Sequence, residues 1–160
     1  MARIHPGRHT ARLDGDFVVF VIGMRLNKLW KVHRWWPVFV AMPRMLAQLS
    51  RHPDLGLLGT RFTRSGRTIT SIQYWRSFDH LERFAKDPDQ PHLAAWRAFN
   101  QRIGASGDVG IFHETFKVPA GAYECVYGNM PVLGLATAGE HLPVTRSSEA
   151  ARQRIGAATA

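Results

Sequence analysis

SIQYWRSFDHLERFAKDPDQPHLAAWRAFNQRIGASGDVGIFHE, residues 71–114, carries the order of elements on which the fold turns. It opens as a strand ending in Tyr74-Trp75-Arg76. Ser77 can cap the helix that follows, with Asp79 and Glu82 well placed near the positive N-terminal end. Leu81, Phe84 and Ala85 give that helix its apolar face. Asp87-Pro88-Asp89-Gln90-Pro91 breaks it. A second helical piece runs from His92 to Ile103, with Trp96, Phe99 and Ile103 at helical spacing. A glycine-rich loop then leads into a strand, Val109–Val118, that bears His113 and Glu114.

Upstream, DFVVFVIGMR (16–25) is rich in Val, Ile and Phe and apolar on both faces, which predicts a central strand. Residues 29–50 have helical spacing but contain Pro37 and Pro43. Proline inside a helix removes a hydrogen bond and clashes with the preceding turn. The reading is a short helix to about Trp36 and a second from Pro37, kinked or ended at Pro43. GLLGTRFTR and RTITSIQYWRS flank Ser65-Gly66, which predicts a hairpin with glycine in its turn. Downstream, Pro119-Ala120-Gly121 reads as a turn and Tyr123–Tyr127 as a short last strand.

The order is β-α-β-β-α-β with a small extra strand, the split βαβ, ferredoxin-like arrangement of an α+β domain with both helices on one sheet face. Strands apolar on both sides make an uncovered second face unfavourable in water. A second copy packing sheet to sheet would cover it, so a homodimer is expected. Residues 16–130 form the domain. Residues 1–15 read as a flexible basic N-terminus, and 131–160 as an extended arm and tail.

A chain of 160 residues, 45% of them hydrophobic, is one domain with room for a core. No run approaches the length of a membrane span, and the N-terminus lacks the apolar centre of a signal peptide, so a cytoplasmic protein is expected. The net charge is +9, and most of the excess falls in residues 1–52, where nine Lys and Arg face two Asp. The basic residues are scattered and no nucleic-acid-binding motif is present, which argues against a nucleic-acid partner. Trp30, Trp35 and Trp36 with Lys31 and Arg34 could meet a membrane surface through residues 28–36. A broad amphipathic helix packed on the sheet explains them more simply. The single Cys125 excludes an intrachain disulfide and a cysteine zinc site. His5 and His9 lie in the terminal segment read as mobile, and no metal site is assigned. Phosphate loops, the Gly-x-Ser-x-Gly elbow and the dinucleotide fingerprint are absent.

His92, Trp96 and Asn100 follow one another at four-residue steps and so share a helical face. A His and an Asn beside Trp96 and Phe99 break the apolar rule for a packed face, and such breaks tend to mark sites. They are read as lining a pocket between that helix and the sheet; the structural alternatives are a helix-terminal His92 bonded to backbone or facing solvent, a core Trp96 and an Asn100 that caps a loop. His113 and Glu114 are adjacent on a strand and face opposite ways, one toward the helices and one toward the dimer interface. A hydrogen-bonded interior histidine and a buried ion pair are the structural alternatives for these two.

MRLNKLWKVHRWWPVFVAMPRML (24–46), YWRSFDHLERFAKD (74–87), HLAAWRAFNQRIGASGDVGIFHETF (92–116) and YECVYGNMPVLGL (123–135) together resemble the fumagillin-pathway monooxygenase-like family. The resemblance covers roughly residues 16–146. It implies a dimeric α+β barrel, similar to the antibiotic-biosynthesis monooxygenases, some of which work without metal or flavin. Aldoxime dehydratases and chlorite dismutases, related to the same barrel, bind haem through a histidine.

The resemblance also makes Tyr127, Asn129 and Met130 a family signature with a lining or lid role at the pocket rim. The expected function is a small-molecule monooxygenase, cofactor-independent, taking O2 and an apolar, aromatic or polyketide-like substrate. His92 or His113 would remove a substrate proton, and Asn100 or Tyr127 would hold the developing oxyanion. Trp75, Trp96 and Phe99 would wall the site, with Glu114 at its edge. The alternatives are a haem-binding dehydratase-like enzyme, with His92 or His113 as axial ligand, and a non-catalytic ligand-binding dimer.

Overall fold

The computed structural model describes residues 2–87, 101 and 106–156. Its centre is a four-stranded antiparallel sheet of β2 (Phe17–Leu26), β3 (Leu57–Ser65), β4 (Thr68–Trp75) and β5 (Val109–Val118), ordered β3-β4-β2-β5. The strand inserted between the two ends of each split unit is the ferredoxin-like order expected from the sequence. The fully apolar β2 lies inside the sheet, flanked by β4 and β5, as a strand without a polar side should. Ser65 pairs with Thr68, so the hairpin turn is Gly66-Arg67, one residue later than the sequence suggests. Gly66 has φ +55°, the positive value a two-residue hairpin turn needs at its first central position.

Helix α1 runs unbroken from Val32 to Leu49, through both prolines. The expected break at Pro37 does not occur. An interior proline costs about 3 kcal/mol, but burying one Leu or Met side chain returns about 1.5–3 kcal/mol. The apolar stripe of α1 supplies several. Leu46 and Leu49, with Met42 and Met45, pack on Val18 and Trp75. Trp35 and Val38 pack on Met24, Leu26 and Val109. The amphipathic reading holds for Trp35 but not for its neighbours: Trp30 is 73% and Trp36 52% exposed.

Helix α2 (Phe78–Lys86) is capped as predicted, with Ser77 Oγ accepting from the His80 backbone N–H. Leu81 and Phe84 carry it onto the same core. The loops at the far end of β2 and β5 are tied by Asp108, buried to 1% exposure, whose carboxylate meets Lys28 at 2.8 Å and Lys31 at 2.9 Å. The bonds from those two ammonium groups hold its carboxyl down to about 2. Among the described residues no helix is long and apolar enough to cross a membrane.

Both ends of the chain depart from the sequence reading. The segment taken as a flexible N-terminus contains β1 (His5–Arg12), the central strand of a second sheet ordered β6-β1-β7. Its partners are β6 (Tyr127–Met130), from the segment read as the end of the last strand and a pocket rim, and β7 (Glu140–Pro143), from the part read as an arm. The last strand is therefore Tyr127–Met130 rather than Tyr123–Tyr127, and it pairs with β1 instead of the main sheet. HPGRHTAR shows no apolar alternation; its strand character comes from partners far away in sequence. A short helix, α3 (Ala151–Arg154), follows, anchored by Arg154 to Glu124.

The second sheet and the segment around it fold back over one end of the main sheet's second face. Phe17, Val19, Tyr74 and Val118 pack there with Ala11, Leu135 and Tyr127. Farther along, Phe112 and Phe116 stand exposed, Phe116 by 51%.

Candidate functional site

The helix-facing side of the main sheet is set by strand alternation. Ser71, Gln73 and Trp75 are alternate residues of β4 and point the same way. Trp75 pairs with Val18 and packs against Phe84, ring centroids 5.5 Å apart. All three are sealed, Trp75 and Gln73 to 1% exposure. A buried Gln on an apolar sheet face must find partners, and this one does. Trp75 Nε1 donates to Gln73 Oε1 at 3.0 Å, and Gln73 Nε2 donates to Ser71 Oγ at 3.3 Å. Ser71 Oγ meets Thr60 Oγ1 at 3.3 Å. The sequence carried a signal for this chain, because the alternation in Ser71-Ile-Gln73-Tyr-Trp75 puts two polar residues on a covered face.

His113 belongs to this side. It pairs with Ile22 of β2, which in turn pairs with Ser71, so His113 and Ser71 flank Ile22 on one face. The imidazole lies 5.8 Å from the Phe20 ring and is exposed on the edge strand. It is therefore not the hydrogen-bonded interior histidine of the alternative reading. Trp75 and His113, both proposed from sequence, thus share a face. His92, Trp96, Phe99 and Asn100 lie outside the described residues.

The other sequence candidates fall on the opposite side. Glu114 pairs with Val21 and is exposed, not buried in an ion pair. Tyr127 packs with Phe17, Val19 and Tyr74, on the sheet face opposite α1 and α2. The physical cause is the pairing of β6 with β1, which pulls Tyr127–Met130 to the far side of the main sheet. Asn129, at φ +53°, accepts a 2.9 Å bond from Gly7 N–H, and Met130 is exposed. These two hold or edge the small sheet rather than form a lid.

Tyr127 does line a cleft of about 350 Å³ on this opposite side, with Tyr74, Tyr123, Cys125, Arg61 and Leu135. Burial pushes the Tyr127 phenol well up, with the Cys125 thiol adding to it. Burial also raises Tyr74, against the pull of the Arg61 guanidinium. Both phenols therefore stay protonated near neutral pH and act as donors. Tyr123 is held by the chain itself: its hydroxyl donates to Leu13 O at 3.0 Å and accepts from Leu13 N–H at 2.6 Å. A further cleft of about 340 Å³ is walled by Arg12, Asp14, Arg76 and Glu140, with Arg12 and Glu140 paired at 2.6 Å.

Of the two histidines read as possible haem ligands, His113 stands beside Phe20 on the exposed edge strand, and His92 lies outside the described residues.

Three histidines that the sequence reading left unused come together elsewhere. His5 and His9 of β1 meet His141 of β7, with imidazole nitrogens within 4.8 Å of one another. His141 reaches them only through the pairing of β1 with β7, so nothing local in the sequence announces the group.

Comparison with known proteins agrees with this architecture. Monooxygenase af470 of Aspergillus fumigatus is 32% identical over 162 residues, spanning 83% of this chain and 54% of the relative. The chain thus spans about half the length of that relative. An aldoxime dehydratase solved with butyraldoxime superposes with a TM-score of 0.61 at 18% identity, over 86% of this chain and 42% of that one. SnoaB, a cofactor-independent oxygenase from Streptomyces nogalater, gives a TM-score of 0.43 at 23% identity, over 63% of this chain and 91% of its own. The dehydratase likeness concerns the fold, the α+β architecture on which dimeric barrels are built. A family model matches residues 17–135, from the first residue of β2 to the segment that closes over the sheet, and the chain belongs to the monooxygenase af470-like family.

Proposed function

We propose that the protein is a small-molecule monooxygenase that needs no resident cofactor and works on the helix-facing side of its main sheet. The observation that carries this reading is His113: an exposed imidazole beside Phe20, on the same face as the sealed Ser71–Gln73–Trp75 chain. It is a base on a rigid strand, at the edge of a largely apolar surface. Family membership supports the monooxygenase class.

The substrate is a polycyclic or polyketide-like molecule with an acidic methylene carbon between carbonyl or aryl groups. Such a carbon can supply every electron the reaction needs. In the balanced step, one methylene group and one O2 give one ketone carbonyl and one water, so no external reductant enters. His113, or His92, takes the first proton. The carbanion gives an electron to O2 and the resulting pair combines. Loss of water leaves the ketone, with one oxygen atom in product and one in water. Asn100 is the proposed donor to the substrate oxyanion and Trp96 and Phe99 the apolar wall; Trp75, read from sequence as part of that wall, is instead sealed in the core against Phe84. Association of two copies across the exposed Phe112 and Phe116 belongs to the same proposal.

The test is oxygen uptake by the full chain with a panel of such substrates, with 18O2 incorporation read by mass spectrometry. His113→Ala is expected to lower kcat by about 10²–10⁴-fold with the melting temperature unchanged. Activity that appears only with added haem, flavin or reductant would overturn the cofactor-free reading. An unaltered rate in both His113→Ala and His92→Ala would remove histidine from the chemistry.

The phenol-lined cleft favours a second reading, a binding role without turnover. Tyr74 and Tyr127 stay protonated and Arg61 is a cation. The cleft can hold an anionic aromatic ligand and supplies no histidine base. Ligand binding lost in Tyr127→Phe and Arg61→Ala, with no oxygen consumed, would establish that role instead.

A further inference from the structure

We infer that His5, His9 and His141 form a binding site for a divalent transition-metal ion of the zinc, nickel or copper type. The three imidazoles already face one another. His9 and His141 stack at 4.5 Å between centroids, tilted by 10°, and the His5 ring stands edge-on to both, at 5.7 Å from His9 and 4.8 Å from His141. One nitrogen from each ring lies within 4.8 Å of the others. Three ligands at about 2.0–2.1 Å from a zinc ion need only small side-chain rotations from that starting point.

The backbone pairing builds this arrangement. His9 pairs with Pro143 and His141 with Ala11, so the two histidines are diagonal neighbours across the β1/β7 ladder. Their outward neighbours, Arg12 and Glu140, pair with each other. His5 comes from farther along the strand. Four regular strand residues cover about 13 Å, yet the His5 and His9 rings are less than half that distance apart. The register between β1 and β6 slips between His5 and Arg8, and Gly7 sits there at φ +84° with its N–H held by Asn129. That bulge bends β1 and turns His5 back toward the other two.

The chemistry of the group suits a metal better than it suits a bare protein. His141 Nε2 is buried and has no hydrogen-bond partner, and a buried polar atom left so is costly. Neutral imidazole nitrogen is a common ligand for such ions. Three nitrogen ligands and no carboxylate select zinc, nickel or copper over magnesium or calcium. Arg8, next to His9 in sequence, donates to the Glu149 carbonyl at 3.0 Å. Three protein ligands leave one position for water or a ligand group, the pattern of open zinc sites. The Tyr127 ring is 6.2 Å from His141 and also lines the phenol cleft, so an ion here sits beside that cleft. It would also clip the N-terminal strand to β7.

The site does not depend on the proposed oxygenase activity and is tested without it. Chelator-treated full-length protein is titrated with ZnCl2 by calorimetry, and Co2+ is added separately to read its visible ligand-field bands. One ion per chain is expected, with micromolar or tighter affinity, and a rise in melting temperature of roughly 5–10 °C at a hundredfold excess over Kd. His9→Ala and His141→Ala should each weaken binding at least about tenfold and abolish the Co2+ bands, whereas His52→Ala should change neither. If His141→Ala fails to fold by circular dichroism, His9→Gln and His5→Gln decide the question in its place. Absence of stoichiometric Zn2+ binding, or binding that survives loss of two of the three histidines, overturns the inference.

Discussion

The two faces of the main sheet solve the same problem in different ways. Both begin as apolar surface from β2, with Val18 and Phe20 on one side and Phe17 and Val19 on the other. Helices α1 and α2 cover the first face with regular elements, and the polar residues Ser71 and Gln73 caught beneath them are bonded to one another and to Trp75. Among the described residues the second face is covered only at one end, by short strands and turns from both ends of the chain. Its polar groups, Tyr74, Tyr127 and Arg61, open into a cleft. A face closed by regular helices tolerates polar groups only when they satisfy each other. One closed by irregular segments leaves gaps where polar groups can meet a ligand.

The largest expected effect is on the helix-covered face. Trp75→Ala removes the side chain at the centre of that core and strands Gln73 Oε1 without its donor. Truncating a buried aromatic costs about 3–5 kcal/mol, and a fall in melting temperature of roughly 10 °C or more should follow. A loss below about 1 kcal/mol by urea denaturation would mean that this face is not sealed as described. Leu135→Ala probes the other side. Leu135 is buried among Phe17, Ala11 and Tyr127, and about 2–4 kcal/mol is expected. The difference in kind matters more than the size. Loosening this patch should also weaken ligand binding in the phenol cleft, whereas Trp75→Ala should not act on the cleft directly. Equal effects of both substitutions on binding there would erase the distinction between the faces.

A smaller effect is expected from acid. Asp108 has its carboxyl held down from 3.8 to about 2 by Lys28 and Lys31. Above its ordinary value the pair contributes its full stabilisation. As pH falls from about 4 toward 2, the unfolded chain binds the proton before the folded one does, and that contribution is lost. Wild-type protein should therefore lose stability more steeply than Asp108→Asn over this range, read from melting temperature against pH. Parallel curves would show that the loop junction between β2 and β5 does not rest on this ion pair.

The same contrast explains what the sequence could and could not tell. β2, the β3/β4 hairpin, α2 with its Ser77 cap and β5 are written in local patterns, and the ferredoxin-like order follows from them. The continuity of α1 was hidden, because Pro37 and Pro43 are visible locally and the packing that overrides them is not. The β6-β1-β7 sheet was hidden for a related reason. His5–Arg12 is a polar segment without alternation, and its strand state depends on residues at the opposite end of the chain. The candidate residues divide likewise. That His113 and Glu114 face opposite ways is legible locally, but only the pairing of β5 with β2 puts His113 on the side of Trp75. Tyr127 was put on the wrong side because its partner is β1, and the His5–His9–His141 group was invisible until β1 and β7 were paired.

The smallest expected effect is at Ser77, where local encoding and the covered core meet. Its Oγ accepts from His80 N–H at 3.3 Å and lies 2.7 Å from His80 Nδ1, ending the orphaned first turn of α2. That turn sets the angle at which Leu81 and Phe84 reach Trp75. Ser77→Ala removes the acceptor and should cost about 1 kcal/mol, a few degrees in melting temperature. Ser77→Asp keeps an acceptor and adds a negative charge at the positive end of the helix, so stability should return to near wild type. If Ser77→Ala is neutral, α2 is held by the burial of Leu81 and Phe84 alone. If Ser77→Asp fails to restore what Ser77→Ala loses, the contact with the His80 ring carries the cap rather than the backbone bond. Either result would sharpen the account of how the sealed face is kept closed.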